Sequence, residues 1–275
     1  MPGSRSMVPI QRRLSCCWGS AISRQHGVWP TFIHKQQVIE VVEDVEVIDG
    51  IHLDHLDISD TLDHPFVMPQ TLPTRDEALA IMHEFTQSDS LRKHMLAVEA
   101  SMRAYAEKFG EDPERWGLTG LIHDFDYERW PNQEHSPTSG HPAEGVRILR
   151  ERGWPHDILE AILGHAQYSG VPRTSRMAKT LFAVDELTGL VTATALVRPS
   201  RSVHEVDAKS VRKKMKDKAF ARGVNREDVI SGAEELGVEL DTHIQFVIDA
   251  MRREARSLGL EGTPPAEEAP APASG

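Results

Sequence analysis

The sequence predicts an all-α protein, and three observations carry that prediction. Apolar residues through the middle of the chain recur at spacings of three and four, the period of one helix face. Proline, glycine and short polar residues stand where helices would begin and end. No pair of alternating apolar and polar runs reads as a hairpin.

The elements follow in order. Leu91, Met95, Val98, Met102, Tyr105 and Phe109 form one long stripe, and Gly110 is placed to end that helix. Pro113 allows a new start for a helix over Glu114–Asp124. Pro142 sits at the first turn of a helix running to Arg152, with Gly153 closing it. Pro155 opens the next, on which Ile158, Leu159, Ile162 and Leu163 are apolar. Ser175–Val197 reads as a long, strongly apolar helix and Ala208–Phe220 as a lysine-rich one. Asn225 caps Arg226–Leu236, which Gly237 ends, and Leu240–Leu258 is the last helix, with Ile244, Val247, Ile248 and Met251 as its stripe.

The folded body is expected over residues 72–260. Residues 1–67 are different. Met1–Gln37 holds no Asp or Glu but carries Arg5, Arg12, Arg13 and Arg24, and Glu40–Asp63 then turns acidic. No stable fold is expected there. Its early composition also fits a transit peptide, and Met68 would serve equally as the true start. The tail 261–275 is rich in Pro, Ala and Glu and is expected to be disordered.

Composition excludes several functions. The chain of 275 residues has a formal net charge of -11, which repels a phosphate backbone and argues against general nucleic-acid binding. No apolar run approaches the roughly 20 residues of a membrane helix. The only cysteines, Cys16 and Cys17, make no thiolate zinc motif and give no sign of an oxidising compartment, so a cytoplasmic location is expected. Any metal must then be held by imidazole and carboxylate, and the chain has 14 histidines.

The chemistry-bearing residues lie in a telling order. Leu121-Ile122-His123-Asp124 places an imidazole and a carboxylate beside a buried helix end. Alone, that pair reads equally as a His–Asp hydrogen bond. His94 falls on the apolar stripe between Leu91 and Val98, where a single inward histidine is commonly a satisfied core residue. Asp185 interrupts the apolar Leu181–Leu187 and needs a cation or several donors, an arginine among the possibilities. His141 precedes Pro142, and His165 ends the helix after Pro155; either alone would pass for a surface cap. Taken together, His94, His123, Asp124, His141, His165 and Asp185 offer four imidazoles and two carboxylates, a set suited to one or two divalent ions such as Mn, Fe, Mg, Co or Zn. An aspartate beside a histidine is placed to bridge two of them, and Asp124 is the candidate catalytic group.

This ordered set resembles the HD superfamily of metal-dependent phosphohydrolases over about residues 90 to 190. His94, His123-Asp124 and Asp185 match the family's H…HD…D series, and His141 and His165 stand where many members hold a second metal. The stretch from Leu181 through the lysine-rich segment also resembles a group of uncharacterised bacterial HD-domain proteins. The resemblance implies an HD-domain helical bundle and a metal-dependent hydrolase acting on a nucleotide or another small phosphoester. It departs from cyclic-di-GMP phosphodiesterases, because Gly164–Pro172 lacks their second His, Glu and GYP motif. Members with the same six ligands that hold two irons and activate O2 supply an alternative, and a non-catalytic metal- or nucleotide-binding protein is a third. Arg173, Lys213 and Lys214 are the candidate contacts for an anionic substrate, each equally readable as a solvated surface residue. Asp126, Glu128 and His135 are either partners that orient ligand histidines or ordinary loop residues.

Overall fold

A computed structural model describes residues 71–263. The expectations for 1–67 and for most of the tail lie outside them. Among the described residues the chain is all-α, with no strand. In order the helices are α1 (Arg75–Phe85), α2 (Asp89–Phe109), α3 (Pro113–Ile122), α4 (Ala143–Glu151), α5 (His156–His165), α6 (Arg176–Leu196), α7 (Ala208–Met215), α8 (Arg226–Leu236) and α9 (Leu240–Arg253). None is long and apolar enough to cross a membrane.

The punctuation behaves as its chemistry requires. Gly110 and Gly237 end α2 and α8 at φ 72°, a left-handed turn that glycine enters without a Cβ clash. Ser88, Asp112, Ser175 and Asn225 each accept a backbone N–H of the first turn they precede. Helix α1 carries a capping box between Thr74 and Glu77, a T-x-x-E signal present in the sequence that the helical stripes did not draw out. The lysine-rich helix is shorter than expected. It stops at Met215, after which Asp217 accepts from the backbone of Ala219 and diverts the chain into turns. The last helix likewise ends at Arg253 rather than Leu258.

Helix α6 is the axis of the bundle, packed against α2, α5, α8 and α9, while α2 lies along α3. Val98, Met102, Leu121, Ile158, Leu181, Val184, Leu187 and Ile248 are fully buried where these helices meet. Two glycines set how closely they approach. A Cβ on Gly120 would stand 3.0 Å from the α2 backbone, and one on Gly232 only 2.6 Å from Cα of Ala183 in α6. A buried polar tie crosses the same core. The Tyr105 hydroxyl meets Nδ1 of His243 at 2.6 Å, and Nε2 of His243 donates to the Ala183 carbonyl at 2.9 Å. Burial holds His243 neutral, its pKa lowered to about 4 even though the bond to the Ala183 carbonyl favours the charged form.

Candidate metal centre

Helices α2, α3, α5 and α6 bring the six sequence-selected ligands to one point. His94 projects from the middle of α2, His123 and Asp124 follow the end of α3, and His165 closes α5. His141 lies just before α4, and Asp185 sits midway along α6. His123 is wholly buried, and Asp124, His141 and His165 are at most 9% exposed.

Local chemistry aims each imidazole. Nδ1 of His123 faces the Gly120 carbonyl at 2.8 Å, and Nδ1 of His165 faces the carbonyl of Ile162. Both use a carbonyl three residues back, one of the acceptors that a helix leaves unfilled at its C-terminus. Nδ1 of His141 faces Oδ1 of Asp126 at 2.8 Å. Nδ1 of His94 lies 3.4 Å from the Thr188 hydroxyl, which itself donates to the Asp185 carbonyl. Carbonyls and carboxylates only accept, and the Thr188 proton is already committed. All four histidines are therefore assigned the Nδ1–H tautomer, with the Nε2 lone pair turned inward.

Those lone pairs and the carboxylate oxygens crowd together. Asp124 Oδ1 is 3.4 Å from His123 Nε2, 3.4 Å from His141 Nε2 and 3.5 Å from His165 Nε2. Its Oδ2 is 3.7 Å from His94 Nε2. Asp185 Oδ1 lies 3.0 Å from His94 Nε2 and 3.4 Å from His123 Nε2. His141 and His165 point their Nε2 atoms at each other across 3.2 Å. Two lone pairs cannot face at that distance without a cation or a proton between them. His123 Nε2 is buried with no hydrogen-bond partner, an arrangement that otherwise costs about 1–3 kcal/mol. Ligands ~2.0–2.1 Å from a tetrahedral ion stand roughly 3.3–3.4 Å apart, close to these spacings. The donor set thus fits a divalent metal. Two overlapping triads suit it, His94–His123–Asp185 and His123–Asp124–His165, each with donor atoms within 4.8 Å of one another.

The electrostatics express the same demand for positive charge. Burial alone would lower His123, but Asp124 and Asp185 outweigh it and raise its pKa to about 9. Burial would raise the two aspartates, yet the imidazoles hold both well below the usual carboxylate range. Neighbouring Glu186 lacks such partners. Burial and the Asp185 charge push it up to about 8.

Asp126 turns out to be part of this machinery. It is fully buried, with Oδ1 on His141 and Oδ2 accepting from Gly145 N at 2.8 Å. Gly145 is required for that approach, since a Cβ there would fall 2.6 Å from Cγ of Asp126. Glu128 instead caps the start of α2 through the amides of Gln87 and Ser88, and His135 stacks on Tyr168.

Five of the six ligands, His94, Asp124, His141, His165 and Asp185, form the floor of a cavity of about 1090 Å³, while His123 is wholly buried. Tyr127, His135, Tyr168 and Phe182 supply aromatic wall, while Glu186, Asn225, Glu227 and Asp228 line the side formed by α6 and the start of α8. The three candidate anion contacts do not face it. The Arg173 guanidinium clamps Glu235 at 2.6 and 2.8 Å, donates to the Gly164 carbonyl and lies 3.7 Å over the Phe182 ring, so it bolts α5 to α8. Lys214 rests on Phe220, and Lys213 is exposed on α7; neither lines the cavity.

A helical bundle that converges four imidazoles and two carboxylates beside one cavity offers a donor set that could hold a divalent metal. Residues 91–190 match the model of the HD domain, and this part of the chain belongs to the HD superfamily. No curated protein and no solved structure matches it.

Proposed function

We propose that this protein is a metal-dependent phosphohydrolase that cleaves a nucleotide or another small phosphoester by attack of water. The observation that carries this reading is the convergence of inward Nε2 lone pairs and two ionised carboxylates beneath an open cavity in a chain with an HD domain. His94, His123, Asp124 and Asp185 would hold one divalent ion, and Asp124 with His141 and His165 a second. Such ions lower the pKa of water and offset charge on phosphoryl oxygens.

The protein's own groups do the rest. Asp124 stands between the two histidine sets, with Oδ1 toward three imidazoles and Oδ2 toward His94. Because its neighbours keep it ionised, it accepts a hydrogen bond from the attacking water and aligns it rather than retaining the proton. The water oxygen bonds to phosphorus as the ester P–O bond breaks, and the proton released by the water ends on the departing alkoxide. Asp126 keeps the proton of His141 on Nδ1, so that Nε2 remains a donor of electrons.

The test joins metal content to turnover. The full chain and its Asp124→Ala variant are purified, their metals quantified, and both assayed for phosphate release from a panel of esters with Mn2+, Mg2+, Co2+ or Fe2+. Release by the wild type alone supports the hydrolase. Bound iron with O2 consumption and no phosphate release would replace it with an oxygenase, and a chain that takes up no metal would sink both.

A further inference from the structure

His141 is held at every polar atom except the one a metal would use. Its backbone N–H donates to the Trp130 carbonyl at 2.7 Å, and Nδ1 faces Asp126 Oδ1 at 2.8 Å. Its carbonyl accepts twice, from Asn132 Nδ2 at 2.9 Å and from the Tyr168 hydroxyl at 3.0 Å. Both lone pairs of that oxygen are thus filled. Nε2 alone is left for an ion, 3.2 Å from Nε2 of His165.

The origin of these contacts differs. Asp126, Trp130 and Asn132 belong to the same stretch of chain as His141, so they fix that stretch internally. The Asn132 side chain also donates to the Ser136 carbonyl and accepts from Ser136 N, each at 2.8 Å, which folds the loop upon itself. Tyr168 comes from elsewhere. It follows His165 closely, on a 3-10 turn (Gln167–Ser169) just beyond the end of α5. Among the described residues its hydroxyl makes the one hydrogen bond from that segment to His141, apart from the facing Nε2 pair. Its ring is steadied as well: His135, at a left-handed φ of 53°, lies parallel to it within 3°, with centroids 4.7 Å apart.

Two ligands of one ion must keep their separation, because metal–ligand distances tolerate only about 0.2 Å. His141 and His165 are carried by different elements, and the Tyr168 hydroxyl spans them. We infer that Tyr168 is a positioning residue for the metal position built from Asp124, His141 and His165, bracing the His141 backbone against the turn after His165 and so setting the distance between the two Nε2 atoms. This inference rests on the metal-site part of the proposed function and not on the reaction. Tyr168 lines the cavity, yet its hydroxyl proton is spent on a carbonyl, so it has none to offer a substrate.

The test is Tyr168→Phe, which removes the hydroxyl and keeps the ring against His135. The apo full chain, Tyr168→Phe, His141→Ala and the double variant are titrated with Co2+, whose visible absorption reports its coordination. The step lost in His141→Ala marks the position in question. In Tyr168→Phe that step should weaken by about tenfold, the lower end of the range for partners that orient ligands, with an altered visible spectrum, while the other step stays within about twofold. In the His141→Ala background the substitution should cost nothing further. Phosphate release from the ester panel at saturating Co2+ should return to within about twofold of wild type, since excess ion offsets a lost affinity but not a lost catalytic group. An unchanged titration, equal weakening of both steps, a cost that persists without the His141 imidazole, or a collapse of helical circular dichroism in Tyr168→Phe would each overturn the strut. Co2+ bound with no phosphate released rejects the hydrolase, while the titration still decides the strut. A wild type that binds no Co2+, or a His141→Ala variant that loses no step, rejects that metal position and the strut with it.

Discussion

Replacing Asp126 by Asn should weaken one metal position and spare the other. The carboxylate is fully buried and accepts from two donors at once, His141 Nδ1 and Gly145 N, each at 2.8 Å. An asparagine offers one oxygen, so its NH2 group must face one of those donors. Where it faces His141, the imidazole relieves the clash by moving its proton to Nε2, which removes the lone pair a metal would use. Partners of this kind typically matter by 10–100-fold in metal affinity, or about 1.4–2.7 kcal/mol. The assay is a stepwise metal titration of apo protein by calorimetry or chelator competition. The step that depends on His141, His165 and Asp124 should weaken by that factor, while the step that depends on His94, His123 and Asp185 stays within about twofold. A double-mutant cycle sharpens the test, because Asp126→Asn should cost almost nothing further in a His141→Ala background. Costs that simply add in the double variant would refute the claim that Asp126 acts through His141.

Four further outcomes follow from the same geometry. Gly145→Ala places a Cβ 2.6 Å from Asp126 Cγ and should lower affinity at the same metal step by roughly tenfold, read in the same titration. Gly232→Ala drives a Cβ to 2.6 Å from backbone in α6; overpacking of this kind costs about 1–3 kcal/mol, visible as a lower Tm with helical content unchanged by circular dichroism. The fold holds His243 neutral, with its pKa lowered to about 4. Its contribution is therefore complete above its unfolded value near pH 6.5 and is lost as pH falls toward 4, by ~3 kcal/mol at most. Urea denaturation across that range should show a steeper acid decline in the wild type than in His243→Gln, and superimposable declines would contradict it. Finally, metal removal by chelation should lower Tm, since an ion present at 100 times its Kd contributes about 2.7 kcal/mol to the native state; an unchanged melt after verified removal would count against the site.

Much of this site could be read from the sequence because its parts carry local signals. His94 announced itself by interrupting a stripe of period three and four, Asp185 by standing with Glu186 in an otherwise apolar run, and His123 and His165 by closing apolar helices. The stops at Gly110 and Gly237 were equally local, since only the left-handed turn itself had to be inferred. What could not be read depends on partners far along the chain. Asp126 serves a histidine 15 positions on, across a segment without periodicity, and its burial beside Phe125 was the only available hint. Arg173 looked free because Glu235, which binds it, lies 62 positions away. The acidic side of the cavity was hidden for the same reason: Glu186 and Asp228 belong to different helices, brought together by the close contact at Gly232.

The histidines at the ends of α3 and α5 fill two structural roles with one ring. Each caps the final turn through Nδ1, and in doing so commits its proton to the helix before any ion arrives. Folding therefore decides which nitrogen faces inward, and an ion arriving there would displace any proton held on Nε2 rather than the one committed to the helix. Such a protein should keep its shape when stripped of metal, unlike a zinc finger, whose chain is ordered by the ion itself. Which ion resides there would then depend on what the surroundings supply, with the polypeptide acting as a finished mould rather than a chain waiting to be shaped.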